Sequence, residues 1–392
     1  MDAQLHLLTQ DMHLEPDGDG EKSCNPIING KVMGNVPLNA ANQSQFIPVS
    51  EVVMPNGKRM KVLKTLLTSA CERNCYYCPF RAGRDMRRAT YKPEQMAQTF
   101  MNMHRAKLVE GLFLSSGIAG GGIRTQDKLL DTVDIIRNKY QYKGYIHLKI
   151  MPGSEHAQVE RAMHLASRIS VNLEAPNTDR LQKLAPNKIF TEELLQPLLW
   201  AEEIRRNQSP YKTWNGRWPS SVTQFVVGAV GETDLELLAT SEKLYRQSRL
   251  QRAYFSAFSP ILDTPFENLP PEDPRREHRL YQSSFLLRDY GFGLEDMPFD
   301  GNGNLPRETD PKLAWARTHL AHTPVELNRA TRVELLKIPG IGLKAAEVIL
   351  RQRRLNKFRD LADLRKLGIL ADRAAPFILL DGRQPARQLS LL

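Results

Sequence analysis

Cysteine is scarce in this chain, with four residues in 392. That is too few for the disulfide framework of a small secreted fold. No apolar run is long enough to span a bilayer. The opening stretch, MDAQLHLLTQDMHLEPDGDGEKS, is acidic and lacks the basic-then-apolar order of a signal peptide. These absences read as a cytoplasmic protein with no membrane segment. Acidic residues are also outnumbered: 54 Lys and Arg stand against 44 Asp and Glu, a net charge of +10. The excess favours a polyanionic partner. It gathers late in the chain, where Lys344, Arg351, Arg353, Arg354, Lys357, Arg359, Arg365 and Lys366 crowd one stretch. A solvated helix face would look the same.

Three of the four cysteines fall in TSACERNCYYCPF, with the spacing Cys71-x3-Cys75-x2-Cys78. In a reducing compartment a cluster this tight points to metal or redox chemistry. Structural zinc asks for four closed ligands. Here there are three thiols, and Cys24 lies far upstream, so a distant histidine would have to complete the set. A four-iron cluster ordinarily takes four cysteines. With three, one iron keeps an open position, which is a catalytic feature. The residues alone leave zinc, an iron–sulfur cluster and unligated core cysteines all open.

From about residue 60 strands and helices alternate. Strands are expected at 61–69, 111–118, 145–150, 169–176, 221–230 and 252–260, and helices at 92–109, 125–140, 154–168, 191–208, 233–247 and 276–290. Strand, helix, strand at this spacing means parallel pairing through right-handed crossovers, hence an α/β fold. A closed or partial barrel and an open doubly wound sheet both satisfy it. In either, chemistry gathers at the C-terminal ends of the strands, and the cysteine loop follows the first strand. Four segments are expected: an arm or cap over 1–55, a core over 56–298, a linker over 299–311 and a helical module over 312–392.

Cys-x3-Cys-x-aromatic-Cys spacing, with Tyr77 just before the last cysteine, resembles the radical S-adenosylmethionine (SAM) family. The resemblance implies a partial (β/α)6 barrel, a 4Fe–4S cluster on Cys71, Cys75 and Cys78, and SAM on the open iron. It also implies reductive cleavage of SAM to a 5′-deoxyadenosyl radical, with flavodoxin or ferredoxin as reductant. Carried over residue by residue, SAM would meet Tyr77, then Ser115, Ser116 and Gly117 of LSSGI. It would also meet Glu174 of VNLEAP, Gly228 of VVGAVGETD and Phe258 of AFSPILDTP. LSSGI lacks the family's usual acid. Arg84, Arg87 and Arg88 in RDMRRAT would draw phosphates or balance the cluster's charge, unless they are a solvated loop face. Cys24 is a candidate hydrogen or sulfur donor, or a passive residue.

In the tail, LLKIPGIGLKAAEVI reads as helix, PGIG turn, helix: a helix-hairpin-helix. Glycines let such a turn approach a phosphate, and backbone N–H groups point outward beside a helix N-terminus. Gly340, Ile341, Gly342 and Lys344 would grip a nucleic-acid backbone without reading bases. A second, decayed hairpin follows around LGI, at 367–369. The tail with LLTSACERNCYYC, RRAT, EGLFLSSGI, GYIHLKI, LAPNK, REHRLYQ and DPKLAWA resembles the DNA modification/repair radical SAM family. Its members tend to be encoded beside a uracil-DNA-glycosylase-like protein. The expectation is therefore radical modification or repair of DNA. Rival readings are an RNA-modifying enzyme, which the GET run at 231–233 suggests, and a non-catalytic iron–sulfur DNA-binding protein.

Overall fold

A computed structural model describes residues 3–9, 12, 24–28, 31–32, 48–53 and 59–386. The described chain divides into two compact units: residues 1–232 with 243–272, and residues 233–242 with 273–392.

The first unit opens with helix α1 (Ala3–Thr9), then strands β1 (Cys24–Ile28), β2 (Lys31–Val32) and β3 (Pro48–Val53). The barrel follows as β4 (Arg59–Leu66), α2 (Pro93–Arg105), β5 (Gly111–Ser115), α3 (Gly122–Asp134), β6 (Tyr145–Lys149), α4 (His156–Leu165) and β7 (Arg168–Ser170). It continues through α5 (Thr178–Leu184), α6 (Gln196–Asn207), β8 (Ser220–Val227), α7 (Asp234–Gln247) and β9 (Arg252–Ala257). One sheet holds all nine strands in the order β2-β1-β3-β4-β5-β6-β7-β8-β9, with every pair from β4 to β9 parallel. The six expected strands are thus present in sequence order, in a curled open half-barrel rather than a closed one. β5 and the last five residues of β4 are buried, as strands covered on both faces must be. Leu63, Leu112, Leu148, Ile169 and Phe225 lie in the core with Phe100, Leu130 and Val159 from the surrounding helices.

Among the described residues of 1–55, expected as an arm or cap, three strands extend the sheet. β3 pairs antiparallel with β4, β1 with β3, and β2 with β1. These strands are too short to leave a periodic signature. Leu5, Leu8 and Met12 are buried. Two further differences have local causes. Asn177 caps the short α5, accepting from the Arg180 N–H at 3.0 Å, a helix too short to show a periodic pattern. α3 and α6 each adjoin a π-helical turn, Ile135–Lys139 and Phe190–Leu195, so neither helical stretch is uniform.

The second unit is built on α8 (Pro274–Asp289) and α9 (Pro311–His319). Then come β10 (Val325–Glu326), α10 (Arg332–Lys337), α11 (Leu343–Gln352), α12 (Leu361–Lys366), α13 (Ala371–Ala374) and β11 (Ile378–Leu379). α8 belongs here, not to the barrel as expected, and 299–311 lies within the unit rather than between units. Arg276 of α8 and Asp234 pair at 2.8 Å with side chains 8% and 2% exposed, and Asp234 also accepts the Leu305 N–H at 2.9 Å. Two short parallel strands, β10 and β11, close a module that was expected to be all helical.

Arg276→Met leaves the Asp234 carboxylate buried without its cation. The expected cost is about 3–5 kcal/mol, read as an earlier unfolding transition of the C-terminal unit in denaturant.

Candidate functional site

The cysteine loop lies at the C-terminal end of β4. Cys75 is buried, and Cys71 and Cys78 are half-buried. All three line one cavity with Leu66, Ser115, Lys149, Asn172, Glu174, Gln224, Val226 and Phe258. On β8 the lining positions Gln224 and Val226 share a parity, because alternate side chains face the barrel interior.

Backbone bonds fasten this loop to the end of β5. The Gly117 N–H donates to the Thr68 carbonyl at 2.7 Å, and the Glu72 N–H to the Ile118 carbonyl at 2.7 Å. The Ile118 N–H points at Cys71 Sγ, 3.5 Å away. A Cβ on Gly117 would strike the Ala70 carbonyl oxygen, so only glycine permits this approach. Arg88 donates to the carbonyls of Ser69, Phe80 and Arg81 at 2.6–2.7 Å, and Arg84 to those of Pro79 and Leu262 at 2.7 and 3.1 Å. These two arginines, expected to draw phosphates, shape the cysteine loop instead. Arg87 is exposed.

Glu174 follows β7 with a left-handed backbone, φ +65°, unusual outside glycine. Its carboxylate is buried, pairs with Lys188 Nζ at 2.9 Å and accepts the Tyr77 hydroxyl. Burial disfavours its charge, but Lys188 and Lys149 outweigh burial and hold the carboxyl below its ordinary value. Burial pushes the Cys75 and Cys78 thiols up, while Lys188 pulls both the other way. Burial likewise holds the Tyr77 phenol neutral.

Tyr77, Ser115, Ser116, Gly117, Glu174 and Phe258 therefore share the cavity with the cysteines. Gly228 is not among the lining residues. It lies against Glu272, and its N–H donates to Glu232, so this turn serves its own loop. The Cys24 side chain lies outside the described residues. Sequence reasoning missed Lys188, Lys149, Asn172, Gln224 and Met12, all in the cavity wall. A signal existed for Lys149, a charged residue inside the apolar strand YIHLKI. Lys188 sits in a loop and offered none.

In the second unit, α10, Pro339-Gly340-Ile341-Gly342 and α11 follow one another as helix, turn and helix. Thr331 and Glu334 make a reciprocal cap at the start of α10. Gly340 has φ +85°, and a Cβ there would press on the Leu370 carbonyl. Lys344 is exposed. Ile341 is not available as a contact: its side chain is 1% exposed, and Lys312 Nζ donates to its carbonyl at 2.6 Å. The Leu343 N–H is taken by the Tyr290 hydroxyl. Gly368, φ +71°, turns the chain from α12 to α13, the second hairpin expected from LGI.

The cysteine donors suit a cluster better than a single ion. Among the described residues, no three His, Cys, Asp or Glu side chains converge as one metal ion requires. Three thiols around a shared cavity can instead each hold a different iron of a cluster. Residues 65–244 match the family model of the Radical SAM superfamily and form a domain of that superfamily. The superfamily uses a 4Fe–4S cluster and SAM. A search of curated proteins gives no match. Among solved structures, methylornithine synthase (PylB) is 14% identical, with 58% of this chain and 61% of that chain covered, at a TM-score of 0.46. The FeFe-hydrogenase maturase HydG from Carboxydothermus hydrogenoformans is 16% identical, covering 58% and 51%, at 0.45. The cobalamin-dependent radical enzyme OxsB is 11% identical, covering 78% and 51%, at 0.35. The chain thus spans 61% or less of the length of these structures. Likeness at this level says nothing about its substrate. Among the described residues no helix is long and apolar enough to cross a membrane.

Each of Cys71→Ala, Cys75→Ala and Cys78→Ala is expected to abolish the cluster, read as iron and sulfide content after anaerobic reconstitution. Full retention of iron by the triple variant would remove the assignment. A second prediction concerns Lys312, whose ammonium burial lowers to about 7. The unfolded chain keeps that proton up to about pH 10. Stability of the C-terminal unit therefore rises with pH from about 7 to about 10, by at most about 1.4 kcal/mol per unit from this group. Lys312→Met should remove that increment, seen by comparing urea midpoints across the range.

Proposed function

We propose that the protein is a radical SAM enzyme that modifies or repairs DNA. Cys71, Cys75 and Cys78 would hold the cluster, which when bound supplies the electron for reductive cleavage of SAM. Ser115, Ser116 and the Glu174–Lys188 pair would orient SAM's polar groups, and Phe258 would cover its apolar ring. The half-buried cavity excludes water from the reacting atoms. A nucleotide would have to leave the base stack to enter it. Flavodoxin or ferredoxin would serve as reductant, and a uracil-DNA-glycosylase-like protein as partner.

The observation that supports a nucleic-acid substrate is the hairpin with its exposed cations. Lys344, Arg351, Arg354 and Arg359 are all exposed around α11, a positive surround of the kind that backbone binding needs. The GET run lends less to the RNA reading than its sequence suggests. The Glu232 carboxylate accepts the Val230 and Gly228 N–H groups and is 3% exposed.

The test is anaerobic. Reconstituted protein, dithionite and SAM are mixed with duplex DNA, with tRNA or with neither, and 5′-deoxyadenosine is quantified. Duplex DNA should raise the rate most. Greater stimulation by tRNA would replace DNA by RNA, and DNA binding without SAM cleavage would favour a non-catalytic iron–sulfur protein. Lys344→Glu with Arg351→Glu should weaken DNA binding at least tenfold and flatten the log–log salt dependence by roughly 2.

A further inference from the structure

Lys188 belongs to the loop after α5, and two independent ties sew that loop to the cysteine loop. The Tyr76 N–H donates to the Leu184 carbonyl at 2.9 Å. Arg73 donates to the Asn187 carbonyl and pairs with Glu193 at 2.6 Å. Lys188 is further fixed from its own side, where its N–H donates to the Ala185 carbonyl at 3.0 Å. These bonds fix the backbone at Lys188, and the 2.9 Å pair with Glu174 holds its ammonium. Its side chain is 9% exposed, so water screens it little.

Pairing with Glu174 does not account for this cation alone. Glu174 already accepts the Tyr77 hydroxyl and feels Lys149. Lys188 meanwhile acts on Cys75 and Cys78. Lys188 and Glu174 line the same cavity as Cys71, Cys75 and Cys78.

We propose that Lys188 is a positioning residue whose fixed charge sets the reduction potential of the cluster held by Cys71, Cys75 and Cys78. Reduction adds one electron to a site that already holds three thiolates. In a poorly screened cavity, a nearby cation stabilises the reduced form more than the oxidised form. Removing the cation makes the electron harder to add and moves the potential down. Removing the Glu174 carboxylate moves it up. The inference rests on the cluster reading of this cavity and is independent of the substrate.

The experiment is a potentiometric titration of the full-length, reconstituted protein, followed by electron paramagnetic resonance and normalised to iron content. Lys188→Met should lower the reduced-to-oxidised ratio at fixed potential at least tenfold, about 59 mV for one electron. Lys188→Arg should retain the parent value. Glu174→Gln should raise it, and the double variant Lys188→Met/Glu174→Gln should return close to the parent. A fully loaded Lys188→Met cluster at the parent potential overturns the proposal. If Lys188→Met loads no cluster, the other arms decide. An upward shift in Glu174→Gln with an unchanged Lys188→Arg supports the proposal, and a parent-like Glu174→Gln overturns it. Absence of iron from the parent protein would instead sink the cluster reading itself.

Discussion

Two of the three cavity thiols, Cys75 and Cys78, resist ionisation, and the rest of the site follows from that constraint. A thiol binds metal as thiolate, yet burial pushes Cys75 and Cys78 in the opposite direction. A bound metal centre reverses that preference, since coordination deprotonates a thiol outright. The protein adds its own counterweight in Lys188. A buried lysine would itself tend to lose its proton, but the thiols and Glu174 hold Lys188 charged. Glu174 needs Lys188 in turn, and it reaches that position through a left-handed backbone. The left-handed Glu174 backbone, the Glu174–Lys188 pair and the thiols thus meet in one cavity.

The barrel makes that arrangement possible by geometry. Parallel strands deliver their C-terminal ends to one rim, so residues far apart in sequence meet without any one loop being long. Period-two alternation selects which side chains face inward. Lys149, Asn172, Glu174 and Gln224 face the cavity, while Leu148, Leu173 and Phe225 pack outward in the core. The cysteine loop has no regular structure of its own. Arg88 replaces a hydrogen-bond ladder there, collecting three carbonyls that would otherwise lack partners.

Legibility in the sequence tracked how local each signal was. The cysteine spacing, the six strands and the PGIG turn each lie within a few adjacent residues, and each appears in the structure where the pattern placed it. Lys188 did not, because its partner Glu174 and the cysteines it faces come together only through the fold. The strands before residue 55 were missed because two to six residues carry no periodicity. The unit boundary was misplaced for a related reason. α8 has an ordinary helical pattern, and its packing on α9 and its ion pair with Asp234 are contacts that no local pattern announces.

Composition proved a weaker guide than placement. A run such as RDMRR looks like a phosphate site, but Arg84 and Arg88 have their donors committed to backbone carbonyls. Arg353 likewise donates to the Ala330 carbonyl at 2.5 Å, and Arg365 pairs with Asp372 at 2.5 Å. A committed guanidinium must break a protein bond before it can hold a phosphate, so it contributes less to affinity than its charge suggests. The case for a polyanionic ligand therefore does not rest on the +10 net charge. It rests on the few cations that remain exposed beside the hairpin, Lys344, Arg351, Arg354 and Arg359. Their number sets the scale of salt dependence, since each phosphate neutralised releases about one counterion.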